Sequence, residues 1–71
     1  MEKRPMQTFK DVLNLLKVYD IYIHVGERLW DLELAAIEVD NLAKADLIDN
    51  DLYLRAKLVL EREHRLELKK S

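Results

Sequence analysis

Apolar residues recur at helical spacing in three segments of the chain, and short polar breaks separate them. In the first segment Phe9, Val12, Leu13 and Leu16 share one side of a helix that runs to about Tyr19. Thr8-Phe-Lys-Asp11 opens it as a capping box, with Asp in place of the usual Glu or Gln. The second segment, Glu27–Ala43, is apolar on two faces. Leu29, Leu32, Ala36, Val39 and Ala43 fall on one side; Trp30, Leu34 and Ile37 fall nearly opposite. Glu27, Asp31 and Glu38 run along one edge between them, and Glu33 and Asp40 along the other. A helix that only covers a core needs one apolar face, so the second face implies a second neighbour or a partner. The third segment, from about Asn50 to about Leu68, repeats the pattern. Leu52, Ala56, Val59, Leu60 and Leu66 make a core face, while Leu54, Leu58 and Leu68 lie away from it.

Between the first two helices the period changes. Tyr19–Val25 alternates like a strand, with Tyr19, Ile21, Ile23 and Val25 on one side. No second strand is available to pair with it. An extended connector that tucks Ile21 and Ile23 against the helices is therefore expected. Gly26 then opens the second helix, as its N-cap or as a sharp turn. Asp46–Asp51 reads as a turn. Asp49 caps the third helix, and Asp49 and Asp51 complement its positive end. Residues 1–7 read as a flexible tail, and 8–71 as one domain. The expected fold is all-α: a small left-handed three-helix bundle with an extended connector between helices 1 and 2.

The size sharpens the question raised by the second apolar face. A chain of 71 residues buries a modest core, and without cysteine it has no disulfide or thiolate–metal staple. Self-association is the simplest way to bury more. One Gly and one Pro argue against a small β-barrel. The net charge of -2 argues against a dedicated duplex-DNA binder. Charge is nevertheless uneven. Arg28 is the one base among the acids from Glu27 to Asp40, whereas Arg55, Lys57, Arg62, Arg65, Lys69 and Lys70 crowd the end of the chain. No apolar run is long enough to cross a bilayer, and no signal-type apolar region follows the charged start. No membrane partner and a cytoplasmic location are expected.

Candidate chemistry is sparse. Glu61-x-x-His64 has the spacing of di-metal carboxylate bundles, but those sites need a second such motif and two further Glu. Asp49-Asn-Asp51 lacks the rest of a calcium loop. Ser71 is the only serine, and Thr8 serves as a cap. Asp31 and Glu38 lie two turns apart on one helix edge, where a solvated face explains them. Arg28 is expected to pair with Asp31 at i+3. One glycine cannot build a phosphate loop. The chain is accordingly expected to be no enzyme, with no cofactor, no metal site and no catalytic residue.

Two binding readings follow. Tyr22, His24, Arg28 and Trp30, with Arg62, Arg65 and Lys69, combine rings and cations as in proteins that hold single-stranded RNA or DNA. Tyr19, Lys17 and Arg55 lie near them. In the alternative, Trp30, Leu34 and Ile37 with Leu54 and Leu58 form an apolar surface for a homodimer or another protein.

Gly26-Glu-Arg-Leu-Trp-Asp-Leu-Glu33, preceded by Tyr19-Asp-Ile-Tyr-Ile and followed by Leu47-Ile-Asp49, resembles the YqgQ-like family of short bacterial proteins. The resemblance extends from about Phe9 to Glu63, and Gly26-x-Arg28-Leu29-x-Asp31-x-Glu33 is its most distinctive part. Asp20 stands where that family is expected to carry Gly. The resemblance implies a three-helix bundle without established enzymatic activity, and a role in binding single-stranded nucleic acid.

Overall fold

The first helix, α1 (Phe9–Val18), starts at a complete capping box. The Asp11 N–H donates to the Thr8 hydroxyl at 3.3 Å, and the Asp11 carboxylate accepts from the N–H groups of Gln7 at 2.9 Å and Thr8 at 3.1 Å. Those two backbone donors hold the Asp11 carboxyl below its usual range. In this computed structural model, which describes residues 6–70, α2 (Arg28–Lys44) and α3 (Asn50–Lys70) complete a small all-α three-helix bundle. No strand occurs among the described residues. The extended connector is shorter than the expected Tyr19–Val25, because Tyr19 and Asp20 form the turn that closes α1 and residues 21–25 join the helices.

Both α1 and α2 stop in the same way. After α1, the N–H of Asp20 donates to the Lys17 carbonyl and that of Ile21 to the Leu16 carbonyl, both at 3.0 Å. After α2, the N–H of Asp46 donates to Ala43 at 3.1 Å and that of Leu47 to Leu42 at 3.0 Å. This double closure is the Schellman motif, and it requires a left-handed residue at its centre. Asp20 (φ 61°) and Asp46 (φ 58°) supply it. Glycine would adopt that conformation without steric cost, which explains why the family resemblance expects Gly at position 20.

Long-range contacts set the direction of each helix. The Tyr19 hydroxyl donates to the Leu47 carbonyl at 2.9 Å, so α1 ends beside the α2–α3 turn. At the other end the Arg28 guanidinium lies 4.9 Å from the centre of the Phe9 ring, and Arg62 donates to the Gln7 carbonyl. Helices α1 and α2 therefore run parallel, and α3 runs antiparallel to both. The connector must return along the bundle to join two parallel helices. Ile21 and Ile23 pack against the core as expected. Gly26 (φ 99°) makes a sharp turn, and Glu27, not Gly26, is the N-cap of α2.

The core consists of Met6, Phe9, Val12, Leu15 and Leu16; Leu32, Ala35, Val39 and Leu42; and Ile48, Ala56, Val59 and Leu60. Several expected positions shift. In α1, Leu15 is buried and Leu13 only half-buried. In α2 the buried face is turned by about 60° from the expected one, so Ala35 and Leu42 replace Leu29, Ala36 and Ala43 at its centre. The physical reason is the connector. It packs Ile21 and Ile23 against the core and binds the Asp31 edge of α2, where the Val25 N–H donates to the Asp31 carboxylate at 2.8 Å. In α3, Leu66 lies outside the core, 48% exposed, and the helix continues to Lys70. Of the expected tail, residues 1–5 lie outside the described residues. Met6 is buried and Gln7 is bonded to Asp11, so these two residues belong to the packed domain.

Candidate docking face on the second and third helices

Helices α2 and α3 form the most extensive pairing of the bundle, and polar contacts fix their register. Asp40 accepts from the Tyr53 hydroxyl at 2.9 Å and from the Lys57 ammonium at 3.1 Å. Partial burial pushes the Asp40 carboxyl up, but these two donors outweigh it and hold the group below its usual range. The same hydrogen bond raises the Tyr53 phenol, because it stabilises the protonated form. One turn and more along, His64 lies 3.4 Å from Glu33, and Arg28 pairs with Glu63 at 3.0 Å. By this register Ile37 lies level with Leu58, Leu34 with Glu61, and Trp30 with Arg65.

Beside these clamps runs an open apolar groove of about 290 Å³. Leu32, Ala36 and Leu60 floor it, and Glu33, Lys57, Glu61, His64 and Arg65 rim it. The residues expected to form a protein surface do not line the groove itself but lie outside its rim, on the outward faces of α2 and α3. Trp30 is 58% exposed and Leu58 66%, and Leu34, Ile37 and Leu54 are exposed as well. Their helical phases place Trp30, Leu34 and Ile37 on the side of α2 away from its buried residues, and Leu54 and Leu58 likewise on α3. Within the described chain nothing buries them. The five proposed interface residues thus flank one groove.

The residues expected at a nucleic-acid surface fall in several places. Tyr22 and His24 line a separate cavity of about 280 Å³ with Leu13, Lys17, Ile21 and Ile23. Arg28 and Arg62 both approach Glu63, at 3.0 and 3.7 Å. Arg28 does not pair with Asp31 as expected, because Asp31 caps the Val25 N–H and Glu63 offers a carboxylate across the bundle. Trp30 stands on the apolar bank of α2, and Arg65 rims the groove. Arg65 and Lys69 have no ion pair among the described residues, whereas Arg55 lies 3.7 Å from Asp51. No hydrogen bond, ion pair or ring contact among the described residues joins Tyr22 or His24 to Arg62, Arg65 or Lys69.

No group of three His, Cys, Asp or Glu side chains among the described residues is placed to hold a metal ion. Glu61 and His64 both border the groove, where His64 approaches Glu33 instead. No helix of the described residues is long and apolar enough to cross a membrane. The Asp40–Tyr53–Lys57 clamp escaped the sequence reading. Its members lie on two helices, and only the register of packing brings them together.

These features define a class: a three-helix domain with a closed core and an additional apolar groove on two of its helices. The chain belongs to the YqgQ-like family, whose model matches residues 6–66. No match was found among curated proteins or solved structures.

Proposed function

We propose that the chain is a small non-enzymatic docking module that binds a protein surface through the α2–α3 face. One observation carries this reading: Trp30, Leu34, Ile37, Leu54 and Leu58 stay in solvent on either bank of an apolar groove, although the core is already closed. Exposed apolar patches of this kind mark interaction sites, and an indole flanked by aliphatic chains suits an energetic anchor. The mixed-charge rim of the groove supplies polar contacts around an apolar centre, as in protein interfaces. The test compares the wild type with Trp30→Glu/Leu34→Lys, both immobilised and both shown to be helical by circular dichroism. Polypeptides retained from cytosol by the wild type are lost with the variant. Retention of the same set by both contradicts the reading.

Single-stranded nucleic acid is the second reading. The cavity that holds Tyr22 and His24 beside Lys17 favours it, as do Arg65 and Lys69, which have no ion pair among the described residues. Rings beside cations hold unstacked bases and phosphates. Fluorescence titration with a short oligonucleotide tests this: binding weakens steeply with salt, and Tyr22→Ala weakens it at every salt concentration. Absence of binding at low salt by the folded protein contradicts it.

A further inference from the structure

The charges around the docking face indicate which surface covers it. On α2, the apolar stripe Trp30–Leu34–Ile37 is bordered by Glu27 and Glu38 on one edge and by Glu33 and Asp40 on the other. On α3, the stripe Leu54–Leu58 is bordered by Arg55, Arg62 and Lys69 with Asp51 on the side toward α1, and by Lys57 and Arg65 with Glu61 toward the groove, five bases against two acids. One bank of the groove is thus acidic at its edges and the other mainly basic. A polynucleotide laid along this groove would set its phosphates against the four carboxylates of α2. A surface that carries the same two banks in reverse order matches both.

We propose that this surface is a second copy of the chain. Its two-fold axis lies parallel to the helices, so that α2 of each copy rests on α3 of the other. The proposal rests on the docking reading above and names its partner. Two features select this arrangement. First, a two-fold axis perpendicular to the helices and in the plane of the interface lays α2 on α2, acid against acid, whereas the parallel axis lays α2 on α3, acid against base. Second, rotation about an axis parallel to the helices leaves axial level unchanged. The register that Asp40–Tyr53, Glu33–His64 and Arg28–Glu63 fix within one chain then also holds between chains. Ile37 meets Leu58 of the second copy, and Trp30 meets its Arg65, a geometry suited to a cation over an indole. On the outer edge Glu38 meets Arg55 of the second copy, and Glu27 meets its Lys69. Each contact occurs twice, as the symmetry requires. The dimer adds the apolar burial that a chain of 71 residues lacks when alone.

The experiment is sedimentation equilibrium on the intact chain from about 1 to about 500 µM, a range that brackets a micromolar dimer. The wild-type mass rises from 8.5 kDa toward twice that value. Glu38→Lys and Arg55→Glu each set like charges opposite each other twice in the dimer, and each raises the dissociation constant about tenfold. The double variant Glu38→Lys/Arg55→Glu restores attraction and returns close to wild type. All four proteins keep their helical circular dichroism, because both side chains lie outside the core. A wild type that stays at 8.5 kDa throughout overturns the second copy as partner. Docking to another protein then stands or falls on the capture experiment. A dimer that the double variant fails to restore overturns the α2-on-α3 arrangement.

Discussion

Helices α1 and α2 use the same kinds of residue in opposite ways. In α1, Phe9, Val12, Leu15 and Leu16 are buried and Leu13 packs against them, so most of its apolar surface serves the core and Val18, at its last position, is exposed. Its ends are closed by a capping box and a Schellman motif. In α2, Leu32, Ala35, Val39 and Leu42 are buried, while Trp30, Leu34 and Ile37 are exposed on the far side. Its N-cap, Glu27, makes no side-chain bond to the helix. The first helix is built for folding alone. The second buries one apolar face in the core and leaves another in solvent, the face proposed for a partner, and mutation can separate the two.

The largest expected effect is in the core. Leu16→Ala removes a fully buried side chain and costs about 2–5 kcal/mol. That equals much of the stability of a domain this small, about 5 kcal/mol. Urea titration of this variant shows a transition displaced to very low denaturant or already complete in buffer. Ile37→Ala, by contrast, shifts the monomer by less than about 0.5 kcal/mol, because the side chain is exposed. Equal losses from the two variants would erase the distinction between the helices.

The caps give intermediate effects. Thr8→Ala breaks the capping box and destabilises the bundle by about 1 kcal/mol, read as a lower urea midpoint. Asp20→Gly works in the other direction. It relieves a left-handed Asp but frees the unfolded chain, and the net gain is about 0.5 kcal/mol. A loss of stability there would contradict the Schellman assignment.

Acid produces the smallest change. The Asp11 and Asp40 carboxyls are depressed in the folded state, so their contribution is full above the ordinary Asp range near about pH 4. It disappears as pH falls through their lower folded values. Urea midpoints measured between neutrality and about pH 3 decrease below about pH 4, and Asp11→Asn flattens part of that decrease.

The same contrast explains what the sequence revealed. In α1 one dominant apolar stripe and a local capping motif identify the helix, its start and most of its buried side chains. In α2 two stripes compete, so the helical period reveals both faces but leaves the buried one uncertain by about 60°. The connector, with Ile21, Ile23 and the Val25–Asp31 bond, settled that rotation through contacts that have no local pattern. Leu66 has core spacing, yet it lies past the part of α3 that α1 covers, level with the start of α2. The exposure of Trp30, Leu34, Ile37, Leu54 and Leu58 was legible because a position opposite a core face is a local property. The pairing of Arg28 with Glu63 instead of Asp31, and the Asp40–Tyr53–Lys57 clamp, depend on tertiary register and were not.

The most direct test of a shared face uses the absence of cysteine in this chain. Ile37→Cys/Leu58→Cys places one thiol on each bank at the same level, and Ile37→Cys alone serves as the control. Under mild oxidation the double variant should give a covalent dimer of twice 8.5 kDa, linked between positions 37 and 58, far faster than the single variant. Equal cross-linking through position 37 alone, or no covalent dimer from folded protein, would contradict a second copy seated with α2 on α3.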